Sequence, residues 1–460
     1  MKKFFTFHIL LLGILTAQEL PFGTPKYFEM EIETNILQID VQVPSSLPRD
    51  IISSIEPYES HNKDIYFIEL RFNKNIPFHF KLINTPLPDG MTLYFINLIT
   101  NGWVGPYSRN ILQNQSSIVT GQMKSDRIMI EYSVPKGTEP IFPVQELILP
   151  ERPENFEETI NHRDPLLRDF SNTILLCGYW PPSNECIRPF SRNTLTNPEG
   201  WVGENWENRG YDVISYFPEF AQPDCDDCGQ GMGYFEVDYQ DTSNDWWNII
   251  DSLNPVAIIT FSRGFIDYSW EMEWKYYNRF YWTPDFTEPY YPTPTPPDSS
   301  VAAETQRNSS LPMDSIVTAI NSANLGLNPY IDYNGGAGGY LSEFMGYHGV
   351  WYKTMMDSLN IPCYTAGHVH VGGLIDWEIA REAAKVTLRE VIKIVDEYKN
   401  LPGDINEDGV VSILDMLFIV FHILGNIELR GDKFVNADLN ADLTVDIYDL
   451  FLISDIILNY

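Results

Sequence analysis

Basic residues are scarce in this chain of 460 residues. Thirty Lys and Arg residues stand against 63 Asp and Glu residues, which gives a formal net charge of −33 at pH 7. A surface with this charge repels phosphate backbones and anionic lipid headgroups. The composition therefore predicts that neither nucleic acid nor a membrane surface is a partner.

Long apolar runs are also lacking beyond the first residues. Residues 1–18 combine a charged start (Lys2 and Lys3), a short apolar stretch that ends at Leu15, and a small-residue site around Ala17. This pattern is typical of a secretory signal peptide and is too short for a membrane-spanning helix. We expect a secreted or extracellular protein, free or in a cell-surface assembly, with no membrane span.

The chain has only five cysteines. Cys225 and Cys228 are separated by two residues and could form a short disulfide or half of a metal site. No second pair of this spacing follows, which disfavours a zinc ribbon. A disulfide is the interpretation we favour in an exported protein. Cys177 is expected in the core, and the roles of Cys186 and Cys363 stay open.

Residues 20–165 alternate apolar and polar positions in many short runs. Examples are Leu37-Ile39-Val41, Phe78-Phe80-Leu82 and Ile128-Ile130-Tyr132, and Phe28-Met30-Ile32 follows the same rule. Turns rich in Gly, Pro, Asn and Asp separate these runs. Short strands at such spacing predict a β-sandwich, which we interpret as an accessory domain.

Residues 166–400 alternate buried strands with helices. Strand-like runs begin at Thr173, Tyr211, Val256 and Cys363, and helical patterns cover residues 246–253, 313–323, 340–359 and 377–398. This order predicts an α/β sandwich with a largely parallel sheet and a site at the carboxyl ends of its strands. Residues 281–312 lack periodicity, and we predict a long surface loop there that can act as a lid.

Residues 401–460 contain two twelve-residue loops, 34 positions apart, each followed by an apolar helix. Oxygen-bearing side chains and one backbone carbonyl per loop match the ligands that calcium prefers. The predicted ligands are Asp404, Asn406, Asp408, Val410, Ser412 and Asp415 in the first loop, and Asp438, Asn440, Asp442, Thr444, Asp446 and Asp449 in the second.

These paired loops closely resemble a dockerin module. An EF-hand has Glu where Asp415 and Asp449 stand, and Gly where Leu443 stands, and both departures suit a dockerin. The resemblance implies two bound Ca²⁺ ions and a cohesin-bearing scaffold protein as partner. It also implies a cellulosome-like assembly that takes part in polysaccharide catabolism, so the chemistry must lie in the preceding domains.

Several segments between residues 171 and 398 resemble, in order, the motifs of pyroglutamyl peptidase I, a cysteine peptidase. They are the loop Gly178-Tyr179-Trp180-Pro181, the spacing from Glu273 to Asn278, the run Gly338-Gly339-Tyr340-Leu341-Ser342-Glu343 and the strand Val369-His370-Val371. The resemblance implies a phosphorylase/hydrolase-like α/β three-layer sandwich. It also implies hydrolysis of a peptide amide, possibly at the N terminus.

The implied catalytic triad is Glu273, Ser342 and His370, with Ser342 in the place of the family's cysteine. Ser342 lies at the predicted start of an amphipathic helix, where free N–H groups can stabilise an oxyanion. His370 would act as general base and then protonate the leaving amine, while Glu273 orients it. The resemblance places substrate contacts at Tyr179 and Trp180, with a third at Arg263, which stands where the family holds its lactam.

Two other hypotheses stay open. His368 and His370 point to one side of a strand and, with Glu271 or Glu273 and His348, could bind zinc in a metal-dependent hydrolase. Alternatively, the α/β domain is catalytically inactive and serves as a binding module in a cohesin–dockerin assembly. Exposed aromatic side chains would then stack on sugars.

Overall fold

The computed structural model describes residues 25–29, 36–60, 62–83, 85–112, 116–152, 171–221, 228–334, 339–359, 361–399, 401–407 and 410–459. The predicted signal peptide lies outside these residues. The described elements fall into three successive stretches, which we call the N-terminal region (residues 25–152), the α/β region (171–399) and the C-terminal helical region (401–459).

Two sheets make up most of the N-terminal region. One has the strand order β1-β4-β10-β6-β7, with β3 beside β4, and the other has the order β2-β11-β5-β8, with β9 beside β5. The elements are α1 Lys26–Glu29, β1 Ile36–Val41, β2 Ser45–Ser46, β3 Tyr58–Glu59, β4 Lys63–Phe72, β5 Pro77–Ile83, β6 Thr92–Asn97, β7 Trp103–Ser108, α2 Arg109–Leu112, β8 Ser117–Val119, β9 Met123–Lys124, β10 Arg127–Pro135 and β11 Val144–Ile148.

A single hydrophobic cluster draws side chains from both N-terminal sheets. Ile68 and Leu70 of β4 enter it from one sheet and Phe80 of β5 from the other. Phe80 stacks on Phe95 of β6 with ring centroids 4.0 Å apart, so side chains of the two sheets are in direct contact. The strand predicted around Phe28 is wrong, because a helical turn occupies Lys26–Glu29.

The α/β region is built on one six-stranded sheet of order β13-β12-β16-β21-β17-β20. Strands β12, β13, β16 and β21 are parallel, whereas β17 and its parallel neighbour β20 run the opposite way. The elements are β12 Thr173–Cys177, α3 Ser183–Ile187, β13 Asp212–Tyr216, β14 Pro218–Glu219, β15 Met232–Gly233, α4 Tyr239–Leu253, β16 Ala257–Arg263, β17 Ser269–Glu273, β18 Lys275–Tyr277, β19 Gln306–Asn308, α5 Met313–Ser322, β20 Asn328–Asp332, α6 Leu341–Ser358, β21 Thr365–Val371 and α7 Trp377–Lys399.

Helices cover both faces of this sheet. Side chains of α3, α5 and α7 join one hydrophobic cluster with Phe261, Met272 and Val369 of the sheet. Side chains of α4 and α6 join a second cluster with Leu175 and Ile258, which belong to the opposite face. The result is a three-layer arrangement, with α4 and α6 on the face that carries the polar side chains described below.

The C-terminal helical region packs three helices around a small apolar cluster. The helices are α8 Ile413–Ile423, α9 Asp432–Ala437 and α10 Ile447–Asn459. Ile405, Ile419 and Ile453 are fully buried at its centre. The hydroxyl of Tyr364, just before β21, donates a hydrogen bond of 2.9 Å to the carbonyl of Glu407 in the first loop. Among the described residues, no helix combines the length and apolar character that crossing a bilayer requires.

Candidate functional site

Four neighbouring strands of the α/β region carry buried polar side chains on one face. Residues directly opposite each other in a sheet project to the same side, and alternate residues along a strand face opposite sides. We call this set the polar face. Across β16, β21, β17 and β20 it comprises Ser262, His370, Glu271 and Tyr330 in one row, and Thr260, His368, Glu273 and Asp332 in the other.

His370 and Glu273 form an ion pair at the centre of the polar face. Their Nε2 and Oε1 atoms lie 2.9 Å apart, and Glu273 is fully buried. Burial alone would lower the pKa of His370, but the acidic side chains around it, first Glu273 and then Glu271 and Asp332, raise it to about 9. The imidazole of His370 is therefore protonated at neutral pH. The pairing of these two predicted triad members is present in the structure.

Hydrogen bonds continue from His370 along the polar face. Ser262 Oγ lies 3.1 Å from Nδ1 of His370 and 2.8 Å from Nε2 of His368. On the far side, Nδ1 of His368 lies 2.7 Å from Thr260 Oγ1. Burial and the neighbouring charge of His370 hold the pKa of His368 well below its ordinary value. Both ring nitrogens of each histidine therefore have partners within the polar face.

The surroundings of His370 are acidic. Burial raises the pKa of Glu271 to about 8, with the positive His370 opposing the rise and Asp332 and Glu273 adding to it. A second oxygen of Glu273, Oε2, is buried and has no hydrogen-bond partner among the described residues. The polar face thus holds more carboxyl groups than cations. The excess of negative charge is smaller at neutral pH because Glu271 stays protonated.

The N-terminal region packs against the α/β region close to the polar face. The hydroxyl of Tyr340 donates a hydrogen bond of 2.8 Å to the carbonyl of Pro106, next to β7 residue Tyr107. Burial raises the pKa of Tyr107, and the charges of Asp332 and Glu271 add to the rise. Tyr107 is therefore close enough to the polar face for the acidic side chains there to affect its pKa.

Ser342, the predicted nucleophile, is the second residue of α6. Its hydroxyl forms no hydrogen bond with any described residue, so the structure does not join it to His370 or Glu273. The glycines 335, 336 and 338 of the preceding run lie outside the described residues. The catalytic role of Ser342 stays a prediction.

Glu343, the neighbour of Ser342, is held in an internal ion pair. Its Oε2 lies 2.7 Å from Nε of Arg279 and also accepts a hydrogen bond of 2.9 Å from the backbone N–H of Gly339. Burial raises the pKa of Glu343 while Arg279 opposes the rise. Arg279 therefore offsets the charge of this carboxylate, which lies beside the start of α6.

Each of the three predicted substrate contacts interacts with other residues of the protein. Tyr179 is buried in the hydrophobic cluster beneath α4, with its hydroxyl 2.5 Å from Thr242 Oγ1. Trp180 Nε1 donates a hydrogen bond of 2.6 Å to the carbonyl of Gly229. Arg263 is half-buried at the end of β16. The structure gives Tyr179 a packing role, and substrate contacts from the three residues stay predictions.

His348 does not belong to the polar face, which corrects its predicted place in a metal cluster. It lies on α6 with Nδ1 2.8 Å from the carbonyl of Phe344 and Nε2 3.4 Å from Ser243 Oγ. Trp246, Trp247 and other aromatic rings surround it. Burial lowers the pKa of His348 to about 4, so it is a neutral core histidine.

A metal ion fits the polar face only in part. One possible ligand atom from each of Glu273, His368 and His370 lies within 4.8 Å of the others. Glu273 also offers Oε2, which has no hydrogen-bond partner among the described residues. However, a metal bound at Nε2 of His368 would have to displace the hydroxyl of Ser262. The existing hydrogen bonds match protons better than a metal, because each ring nitrogen already faces a hydroxyl or carboxylate.

The proline-rich segment 281–312 is fastened to the body of the α/β region. Asp298 accepts a hydrogen bond of 2.5 Å from Arg307 Nη2 and exchanges two hydrogen bonds with the side chain of Asn278. Strand β19 also lies within this segment. These bonds disfavour the predicted opening of the segment as a lid.

The cysteines that the structure describes are either disulfide-bonded or buried. Cys228 is disulfide-bonded, while Cys225 lies outside the described residues. Cys177, Cys186 and Cys363 are buried thiols outside any disulfide. Burial raises the pKa of Cys177 well above its ordinary value, so this thiol is an unreactive core group.

The C-terminal loops hold their acidic residues in matching positions. In the first loop, Asp415 accepts hydrogen bonds of 2.8 and 3.1 Å from the backbone N–H groups of Ile405 and Asn406. In the second, Asp449 accepts one of 2.8 Å from Leu439. The carboxylates that close the loops therefore point back towards the loop starts. Asp408 lies outside the described residues.

The opening residue of the second loop points into it as well. The carboxylate of Asp438 accepts hydrogen bonds of 3.0 and 2.8 Å from the backbone N–H groups of Asp442 and Leu443. The remaining predicted ligands lie along the same stretches of chain: Asp404, Asn406, Val410, Ser412, Asn440, Thr444 and Asp446. Side-chain and backbone oxygens grouped in this way suit a hard cation.

Comparison with known proteins identifies the C-terminal module. Residues 402–458 match the model of the Dockerin type I domain, which confirms the dockerin prediction. Type I dockerin domains bind calcium, and a dockerin implies a cohesin partner; proteins that carry one are typically extracellular cellulosome components. No curated protein matches the chain.

Among solved structures, the chain is similar to pyroglutamyl peptidases, as the motif resemblance predicted. A mutant pyrrolidone carboxyl peptidase from the hyperthermophile Pyrococcus furiosus is 14% identical over 48% of this chain and 98% of that chain, with a TM-score of 0.34. Pyroglutamyl peptidase I from Bacillus amyloliquefaciens is 14% identical over 48% and 97%, also with a TM-score of 0.34. Likeness of this size says nothing of activity or substrate.

Sequence reasoning missed half of the polar face. It gave no functional role to Thr260, Ser262, Tyr330 or Asp332, and it did not predict strands β17 and β20. A usable signal was present, because Glu271 and Glu273 alternate with Trp270 and Met272 as strand residues do. The strand was missed because charged residues are uncommon in buried strands.

Proposed function

We propose that this protein is a secreted amidohydrolase that its dockerin tethers to a cohesin-bearing scaffold protein. The observation that carries the proposal is the buried ion pair of His370 and Glu273, 2.9 Å apart. An imidazole held by a carboxylate is suited to moving a proton during acyl transfer. The proposed substrate is a peptide amide, possibly at the N terminus, as the motif resemblance implies.

Ser342 is the proposed nucleophile. Its place in the first turn of α6 supports this role, because free N–H groups at a helix start can stabilise an oxyanion. Its hydroxyl forms no hydrogen bond with a described residue, and Arg279 neutralises the adjacent Glu343. The proposal requires Nδ1 of His370 to exchange its contact with Ser262 for one with Ser342.

The proposed reaction balances in two steps. Ser342 Oγ attacks the amide carbonyl carbon while its proton passes to the His370 imidazole. The same proton then passes to the leaving nitrogen as the C–N bond breaks, which leaves an acyl-serine. Water hydrolyses the ester by the reverse proton path. Because the pKa of His370 is raised to about 9, activity should increase with pH up to that value.

A serine-directed fluorophosphonate probe and an aminoacyl-amide substrate test the nucleophile together. We expect labelling at Ser342 and a fall in turnover of about a thousandfold or more in Ser342→Ala. Ser358→Ala, at the other end of α6, is the matched control and should keep both properties. Unchanged turnover in Ser342→Ala would contradict the assignment of the nucleophile.

Calcium sites and an exposed apolar surface support the proposed tether. We propose one Ca²⁺ ion in each C-terminal loop, held by the predicted ligands. Immediately before the last loop position stand Ile413 and Leu414 in one repeat and Ile447 and Tyr448 in the other, all of them exposed. Matched apolar pairs of this kind suit a protein partner. We also interpret the two N-terminal sheets as an accessory β-sandwich that covers the polar face.

Two alternatives remain as hypotheses, and each has its own assay. A metal-dependent hydrolase would lose activity with a chelator and tolerate Ser342→Ala. A catalytically inactive binding module would cleave no amide but retain glycans or peptides. The exposed ring pair Phe280 and Tyr281, with centroids 4.9 Å apart, favours sugar stacking in that case.

A further inference from the structure

Five hydrogen bonds connect Glu273 to the backbone of β21 through the polar face. They join Glu273 to His370 (2.9 Å), His370 to Ser262 (3.1 Å), Ser262 to His368 (2.8 Å), His368 to Thr260 (2.7 Å) and Thr260 to the carbonyl of Gly367 (3.3 Å). We call this series the hydrogen-bond chain. Each residue between the two ends forms one hydrogen bond with the residue before it in the series and one with the residue after it.

The ends of the hydrogen-bond chain fix how many protons it needs. A carbonyl oxygen only accepts, and so does an ionised carboxylate. Five bonds between two accepting ends require five protons. Ser262 and Thr260 supply one each, and two neutral imidazoles supply one each, which makes four. One further proton must therefore reside in the chain when all its bonds are formed.

The surroundings decide where the additional proton lies. His370 faces Glu273 and Glu271 from β17 and Asp332 from β20, whereas His368 faces the hydroxyls of Ser262 and Thr260. An imidazole also has a higher ordinary pKa than a carboxyl group, so the ring holds the proton in its pair with Glu273. The additional proton therefore belongs to His370.

We propose that Thr260, His368 and Ser262 are positioning residues that hold His370 as an imidazolium ion and fix His368 as its neutral Nδ1–H tautomer. In this state His370 donates to Glu273 and to Ser262. Ser262 then donates to Nε2 of His368, which in turn donates through Nδ1 to Thr260. Every bond of the chain has one donor and one acceptor.

Loss of the additional proton reverses the chain. If His370 becomes neutral and keeps its bond to Glu273, its Nδ1 must accept from Ser262. Ser262 then accepts from Nε2–H of His368, and Thr260 must donate to Nδ1 and lose its bond to Gly367. Deprotonation thus costs one buried hydrogen bond, which favours the protonated state. The proposed function requires His370 to lose this proton before Ser342 attacks, whereas the protonation states of the resting chain do not rest on that function.

Histidine nitrogen NMR on the full chain tests the proposal without any substrate. The probe is the long-range ¹H–¹⁵N spectrum of ¹⁵N-histidine-labelled protein, in which His370→Gln and His368→Gln identify the two rings among eight histidines. At pH 7 we expect two protonated nitrogens on His370 and one, Nδ1, on His368. A neutral His370 at pH 7, or a zinc-coordinated His368, would overturn the proposal.

Two substitutions test the chain itself. Ser262→Ala removes the acceptor from Nδ1 of His370 and should lower the pKa of that residue by about one unit. Thr260→Val should switch His368 to its Nε2–H tautomer and also lower the pKa of His370, although the hydroxyl of Thr260 bonds to His368 and Gly367. Ser215→Ala is the matched control, because this buried serine of β13 lies outside the polar face and donates to the carbonyl of Ile187.

The outcomes separate this proposal from the proposed function. An unchanged pKa of His370 in both Ser262→Ala and Thr260→Val would refute the hydrogen-bond chain even in an active enzyme. The expected shifts in a protein that cleaves no amide would support the chain and remove the hydrolase. If Ser262→Ala does not fold, the isosteric Thr260→Val decides alone.

Discussion

The dockerin and the polar face gather charged side chains in different ways. In the second dockerin loop, Asp438 and Asp449 are brought together by a single stretch of chain that folds back on itself. In the polar face, Glu273 and His370 are 97 positions apart and meet because β17 and β21 pair in register. One cluster is local in the sequence, and the other depends on the whole sheet.

This difference shows what each cluster needs in order to form. A calcium loop needs a cation to compensate carboxylates that face one another, so its folding and its ligand are coupled. The polar face compensates its carboxylates internally, with the cation His370 and with protonation of Glu271. The dockerin should therefore respond to metal and the polar face to pH.

Removal of the calcium ligands should produce the largest effect. Asp404→Ala combined with Asp438→Ala takes away the first ligand of each loop. We expect cohesin binding to weaken by at least about a hundredfold, roughly 3 kcal/mol, because metal binding and folding are coupled here. Calorimetric titration of a cohesin with calcium present measures the loss, and a chelator on the unmodified chain should reproduce it.

The control for this change is Asp432→Ala. This exposed aspartate begins α9 and is not a loop ligand. Its substitution should leave cohesin affinity within about threefold. If the double variant binds cohesin as the parent does, the calcium loops are not what holds the docking surface together.

Glu273→Gln should have the next largest effect. It leaves the His370 cation buried without its carboxylate, which typically costs about 3 kcal/mol in the free energy of unfolding. Chemical denaturation of the α/β region measures this loss. Glu378→Gln is the control, because its pair with Arg381 is exposed and worth less than about 0.5 kcal/mol. Equal stability losses in the two variants would argue against a special role for the buried pair.

The stability of the α/β region should fall as pH rises from about 6.5 to 9. The folded pKa of His370, about 9, and that of Glu271, about 8, both exceed their ordinary values of 6.5 and 4.5. The folded state therefore binds more protons than the unfolded state in this window, and raising the pH removes that stabilisation.

Denaturation midpoints at several pH values check this slope. His370→Gln should flatten it, because one of the two groups is removed. Below pH 6.5, His368 contributes with the opposite sign to His370 and Glu271. The pKa of His368 is lowered in the folded state, so protonation of this group in the unfolded chain favours unfolding there. A steeper alkaline loss in His370→Gln than in the parent would contradict the account.

Leu443→Gly should have the smallest effect. Leu443 has a φ of 67°, in the left-handed region that costs a branched side chain roughly 1–2 kcal/mol, and its side chain is exposed. Glycine removes that strain but has more freedom in the unfolded chain. We expect a net gain of about 0 to 1 kcal/mol in the calcium-loaded dockerin, measured by thermal unfolding. A loss would mean that the leucine has a packing role.

Local patterns in the sequence predicted local structure well. The dockerin loops follow from spacing alone, and the predicted helices at residues 313–323, 340–359 and 377–398 match α5, α6 and α7 within about one residue at most ends. The pairing of Glu273 with His370 could also be anticipated, but only from the motif resemblance.

Contacts that depend on strand register could not be predicted in the same way. Ser262 and Thr260 look like ordinary strand residues, and only the pairing of β16 with β21 places them beside two histidines. Asp332 belongs to a short strand, which was not predicted because several of its residues are polar. His348 shows the converse, because its apolar surroundings on α6 were not apparent from its spacing to the other histidines.

The most direct test of the central claim is the turnover of an aminoacyl-amide panel by the full calcium-loaded chain and by its His370→Gln variant, compared at pH 7 and pH 9. The account predicts measurable cleavage that increases between these pH values and disappears in the variant. Equal turnover by the two proteins would contradict it, as would the absence of cleavage across the panel by the unmodified chain.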